Sequence, residues 1–317
     1  MRYVAQRIAL GLVSLVLLSM IVYTAAQVLP GNPGRIVLGR EAQPSAVKEF
    51  NRKLGFDKPL PVRYVTWASH AVRGDFGANY TDGRPVTADL VPALKRSLFL
   101  AIYAFFLCIP VSILGGVIAA LRRGKPTDRV ITVTGLSLAV IPEFVLGAIL
   151  VTVLGPAGLK WFPGIAGTLV DASFWTRADS LFLPALALAL VLFGYIARMA
   201  RAGTMEALDA DFTRTAVLKG LRRRDVLGRH VLRNGLLPTI AVISTQVGYL
   251  FGGIVAIEKL FGYPGIGFLT LTSAQIKNFP MLLACVLVLG IVYFVATLSG
   301  DLLIAALNPR VRLQGRD

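Results

Sequence analysis

Few residues in this chain could do chemistry inside an apolar setting, and Glu143 stands out among them. It is the one acidic residue deep in a long uncharged stretch, about 20 Å along a helix from Arg129. Pro142, just before it, has no N–H to donate and frees a carbonyl one turn back. An ionisable group at that depth costs several kcal/mol unless it faces protein or water. Two readings stay open: a carboxylate lining a polar pathway, with Gln246 as a second candidate, or a protonated carboxyl bonded between helices. Other chemistry is hard to assemble. Gly124, Lys125, Pro126 and Thr127 look superficially like a phosphate loop, but Ala119 stands where the first glycine is required. His70 and His230 fall in segments assigned to opposite sides of a membrane and cannot share a metal. No nucleophile elbow or metalloprotease signature is present, so no enzyme activity, cofactor or metal is expected in this chain.

The elements that must position Glu143 are membrane spans. Of the 317 residues, 55% are apolar and 16% charged, and the mean hydropathy is +0.68. A bilayer core needs roughly 20 apolar helical residues. Six stretches qualify, at 8–34, 97–121, 130–159, 180–197, 234–257 and 278–300. The first is too long for a signal-peptide core and reads as a retained span. Six spans put both termini on one side. The net charge of +16 says which, because cations collect on the cytosolic face. With the termini inside, eighteen Lys and Arg fall in cytosolic segments: Arg2 and Arg7, the turn at 122–129, the loop at 198–233, and Arg310, Arg312 and Arg316. Lys95 and Arg96, beside the second span, run against the rule. The charge thus points to membrane lipid rather than nucleic acid as a partner. Cys108 and Cys285 both lie in apolar runs and are expected to be buried free thiols. Asp301 falls near the cytosolic headgroups, where pairing with Arg310 or Arg312 is expected. Gly248 and Gly252 form a small-xxx-small pair that suggests close helix approach.

Two loops carry structure of their own. In the external loop at 30–96, Val47, Phe50 and Leu54 recur at helical spacing and Gly55 supplies a stop. Residues 62–70, with Tyr64, Val65 and Trp67, look like an interfacial helix. This loop reads as a small external subdomain on the pore mouth, with receptor docking as the sharper alternative. In the cytosolic loop at 198–235, residues 206–218 are good helix formers with Asp209 and Asp211 in the first half. Gly220 then permits a turn with φ > 0, and a second amphipathic stretch at 226–232 leads to Pro238. Such a loop is either a rigid knob gripped by a soluble motor or an amphipathic surface lying on anionic lipid through Arg222, Arg223 and Arg224.

The same stretch resembles the EAA loop of ATP-binding-cassette (ABC) import permeases. Arg214, Thr215 and Ala216, then Gly220 after three intervening residues, stand in the places of the family's Glu-Ala-Ala and glycine. Leu221, His230, Leu232, Arg233, Asn234, Leu237 and Pro238 are similar to the dipeptide/oligopeptide/nickel branch. Further fragments agree in order: Leu29, Pro30, Gly31, Asn32 and Pro33 after the first span, and Leu54 to Leu60 and Gly74 to Gly77 in the external loop. Glu258 to Gly267 follow the fifth span, and Asp301 to Leu303 with Asn308, Pro309 and Arg310 close the sixth. Asn32, Asn308 and Asn278 depart from the family's usual aspartates. The resemblance implies an all-α polytopic protein with the type I importer permease fold, one permease domain over 1–317. It implies that Glu206, Asp211, Thr215, Ala216, Lys219, Gly220, Leu221 and Arg222 form the ATPase-coupling site. It also implies a second permease subunit, two ATPase subunits that bind ATP and Mg, an extracytoplasmic substrate-binding protein, and alternating access. Peptides are the expected substrates, with nickel or glutathione as alternatives in the branch. A carrier driven by an ion gradient is the alternative from another class.

Overall fold

A computed structural model describes residues 2–28, 33–39, 41–53, 55–166 and 174–307. Leu29, Pro30, Gly31, Asn32, Leu54, Asn308, Pro309, Arg310, Arg312 and Arg316 lie outside the described residues, and so does the pairing expected of Asp301. Among the described residues fourteen α-helices follow one another: α1 (Arg2–Val28), α2 (Pro33–Leu38), α3 (Pro44–Lys53), α4 (Leu60–Ala71), α5 (Thr87–Leu121), α6 (Pro126–Val140), α7 (Glu143–Leu154), α8 (Phe174–Asp209), α9 (Asp211–Leu218), α10 (Arg223–Asp225), α11 (Arg233–Gly235), α12 (Leu237–Leu260), α13 (Ile266–Gln275) and α14 (Phe279–Leu307). A π-helical turn, Val226–Leu232, joins α10 to α11.

Helices at Ala5–Ala26, Thr87–Leu121, Ala178–Asp209, Leu237–Leu260 and Phe279–Leu303 are long and apolar enough to cross a membrane. The expected third span is not one helix. It breaks between α6 and α7, which meet at a bend of 105°. Ile141 (ψ 126°) and Pro142 (ψ 142°) are both extended. The proline ring disfavours a helical residue before it and removes a ladder donor. Glu143 therefore opens a helix instead of sitting inside one. The fourth span runs on to Asp209, well past its expected end near 197. The helix α13 stands where only a short loop was expected.

The chain forms two compact units. One comprises Ala5–Ser97 and Pro264–Phe294. In it α4 turns Tyr64 and Trp67 onto Tyr23 of α1, with ring centroids 5.5 and 5.4 Å apart. Tyr64 also shares a hydrogen bond with Ser19 (2.8 Å). Phe279 and Leu283 complete this cluster. Gly55 takes φ +74°, as a helix stop there requires. Arg96 donates to the Pro264 carbonyl (3.0 Å), which occupies a cation that breaks the charge rule. Asn278 has a clear reason to be an amide. The Asn79 Oδ1 already accepts from Thr81 N and Oγ1 (3.2 and 2.7 Å), so its third partner, Asn278 Nδ2, must donate. An aspartate could not. Burial pushes the nearby Tyr80 hydroxyl up to about 12, with Arg63 opposing.

The other unit comprises Leu98–Tyr263 with Met1–Val4 and Val295–Asp317. Its centre is α8, whose Leu181, Leu183, Leu192 and Ile196 are fully buried. Around it pack α6, α7 and α12. Glycines set the spacing: a Cβ on Gly194 would collide with the Gly135 carbonyl, and one on Gly203 with the Gly235 carbonyl. Close approach expected at Gly252 is not found, since a Cβ there would meet nothing within 4 Å. Its neighbour Gly253 is the crowded one. Cys108 and Cys285 are buried thiols, one in each unit.

Candidate functional site

In the loop at 198–235, the helix expected over 206–218 is two. Ala210 is extended (φ −75°, ψ 148°) and caps α9. The Thr213 hydroxyl donates to the Ala207 carbonyl across that break (2.6 Å). Ala207, Ala216, Val226 and Val231 then form a small buried core. Beyond α9, Gly220 adopts φ +73°. Its N–H reaches the Val217 carbonyl (2.9 Å) while Leu221 N–H reaches that of Ala216 (3.4 Å). Left-handed backbone here costs an ordinary residue roughly 1–2 kcal/mol. The expected second amphipathic helix is the π-helical turn Val226–Leu232, which aims Val226 and Val231 into the same core. Of the residues expected to couple, Ala216 faces this core, whereas Glu206, Asp211, Thr215, Lys219, Gly220, Leu221 and Arg222 are exposed. Three apolar neighbours, Phe212, Val217 and Leu218, are 42, 60 and 81% exposed.

The knob is tied to the turn at 122–129. Arg201 grips Asp128 with Nε and Nη2 (2.6 and 2.8 Å). Asp128 also accepts from Gly124 N–H (3.0 Å) and Thr132 (3.4 Å). Arg123 pairs with Asp209 (3.3 Å). Gly124 takes φ +76° and gives its N–H to a carboxylate of this chain, which accounts for its likeness to a phosphate loop. Asp128 escaped notice because it stands at the edge of an uncharged stretch, beside three cations.

The second site surrounds Glu143. Its half-buried side chain lies flat against α12, so that a Cβ on Gly253 would stand 2.7 Å from Glu143 Oε1. Tyr249 stands one turn before Gly253 on α12, and its ring lies 6.0 Å from that of Tyr195. Gln246, one turn away, is half-buried, and its Nε2 has no acceptor among the described residues. The exposed residues in mid-α12 are Thr245, Tyr249 and Gly252, which share one face. The exposed face of α5 is of another kind, with Ile102, Phe106, Leu114 and Ile118.

Residues 112–313 match the model of the binding-protein-dependent transport system inner membrane component, and residues 1–88 match that of its N-terminal region. The chain belongs to this family of ABC importer permeases. It is similar to the glutathione transport system permease protein GsiC of Escherichia coli strain K12, 33% identical over 316 residues and covering 98% of this chain and 99% of the relative. The corresponding protein of Salmonella typhi is 32% identical over the same coverage. The permease is thus a multi-pass inner-membrane component of a transport system that works with a binding protein and an ATPase. It is not an enzyme by family, and the carrier driven by an ion gradient is set aside. In the permease, the braced segment at 206–222 is the stretch that resembles the EAA loop.

Proposed function

We propose that the permease imports short peptides by alternating access, driven through its cytosolic knob by two ATPase subunits. The observation that carries this reading is the exposure of four large apolar side chains, Phe212, Val217, Leu218 and Leu221, on and just after a short helix that packs on a small core of its own. Force passes between a soluble motor and a span only through a rigid contact. Lipid binding would ask for a continuous apolar stripe, whereas α9 is only eight residues long. The ATPase-coupling residues are Glu206, Asp211, Thr215, Ala216, Lys219, Gly220, Leu221 and Arg222, now joined by Phe212, Val217 and Leu218. ATP and Mg are bound by the partner subunits, and this chain carries no cofactor. A second permease subunit completes the pore, and an extracytoplasmic binding protein delivers substrate to the side bearing residues 30–96. Both termini and the loop at 198–235 are cytosolic, and residues 1–317 make one permease domain.

Glu143 and Gln246 line the pathway in this reading. Polar and small residues on the exposed face of α12 support it, because lipid-facing positions are apolar. Glutathione, named in the relatives, is itself a tripeptide and fits the peptide class. The test is a cysteine at Leu218: it should crosslink to the co-expressed ATPase and become protected when the complex assembles. A cysteine there that labels equally with and without the ATPase would count against the proposal.

A further inference from the structure

We infer that Glu143, with Tyr249 and Tyr195, holds the primary ammonium group of the passing substrate. This rests on the peptide-import reading and adds which end of the peptide the pathway recognises. Three observations converge. First, Glu143 has neither a hydrogen-bond donor nor a cation bonded to it among the described residues. Arg198, one turn beyond Tyr195 on α8, is exposed and makes no ion pair with it. A carboxylate within a span needs a partner or water. Second, the break at Pro142 puts Glu143 in the first turn of the 12-residue α7, a favourable place for negative charge. Gly253 leaves its carboxyl room to lie against α12. Third, Tyr249 stands one turn before Gly253 on α12, its ring is 6.0 Å from that of Tyr195, and ring faces attract ammonium groups.

The chemistry selects its ligand. One carboxylate with two phenols suits a singly charged –NH3+ group, whose N–H donors meet the carboxylate while its charge faces the rings. Nickel would want several nitrogen, sulfur or carboxylate ligands in a fixed geometry, and among the described residues no group of three His, Cys, Asp or Glu could hold a metal. A substrate carboxylate would be repelled. Peptides and γ-glutamyl peptides both carry a primary ammonium, so the site reads a feature common to the class.

The experiment compares uptake of one dipeptide and its N-acetyl form by the full complex in proteoliposomes. The Glu143→Gln variant should lose uptake of the free form by about tenfold or more, as expected when a charge-assisted hydrogen bond is removed. The acetylated form should be little changed, so the ratio between the two falls. Each ratio is taken with the same binding protein, so the receptor's own preference cancels. A second measurement avoids the receptor. A cysteine at Thr245 should react several-fold faster with an ammonium-bearing thiol reagent than with a sulfonate-bearing one, and Glu143→Gln should erase that bias. Equal loss of both peptide forms, or a reagent bias untouched by the substitution, overturns the inference while leaving peptide import standing. Failure of the unaltered complex to take up either form overturns the import reading and this inference with it.

Discussion

The side chain of Glu143 lies on the bare backbone of Gly253, close enough that a methyl group there would stand 2.7 Å from its carboxylate oxygen. This contact joins α7 to α12 at the bend in the third span. It makes Gly253→Ala a probe of the carboxylate's position that leaves its charge intact. The variant should insert and assemble normally, yet lower uptake several-fold by pushing the carboxyl off α12. Uptake assays in proteoliposomes alongside co-purification of the ATPase would check this, and unchanged uptake would show that the position does not matter.

Gly220 tests the knob by conformation alone. A Cβ there meets nothing within 4 Å in this chain, so within the permease the effect of Gly220→Val comes from its φ of +73°. The strain of roughly 1–2 kcal/mol is enough to distort the turn after α9 without unfolding the spans. ATP hydrolysis by the complex should then continue while uptake falls. Retention of substrate-stimulated hydrolysis with full uptake would rule out a coupling role for the turn.

Leu218, 81% exposed, should contribute nothing to the fold and much to docking. Leu218→Asp is expected to leave the melting temperature of the isolated permease within a degree or so. Its affinity for the ATPase should drop about tenfold or more, as for an interface anchor. Ala216→Asp, which buries charge in the small core of the knob, should instead lower thermal stability.

The Asp128–Arg201 pair is well buried at Asp128 (side chain 8% exposed) and bidentate in contact. Asp128→Asn leaves the guanidinium with a weaker partner and should destabilise the unit by about 3 kcal/mol. Arg123→Ala removes only an exposed ion pair and should cost about 0–1 kcal/mol. Thermal melts of both variants in detergent would separate a structural brace from a decorative surface pair.

The α6–α8 contact makes a separate claim. A side chain on Gly194 would strike the Gly135 carbonyl, so Gly194→Leu should prevent stable packing. Gly252→Ala, which meets open space, should have little effect on folding. Expression and gel-filtration profiles would distinguish them.

Much of this was legible in the chain because the bilayer and the backbone impose local rules. The long uncharged stretches had to be spans, and Gly55 and Gly220 do turn with positive φ where helix formers give out. The break at Pro142 was half visible, as a freed carbonyl and not as a bend of 105°. The split at Ala210 carried no signal, since no proline or glycine marks it; Thr213 bonding back to Ala207 makes the joint. The π-helical turn at Val226–Leu232 reads in sequence as any short amphipathic helix.

Apolar length and the positive-φ glycines marked the candidate spans and the turn after α9, because each follows from neighbours in the chain. The partners of the buried charges came only with the fold. Asp128 meets Arg201 from 73 residues away, and Glu143 meets Gly253 across two helices. A carboxylate's energy inside a span depends on what stands beside it in space, and that is set by how the helices pack.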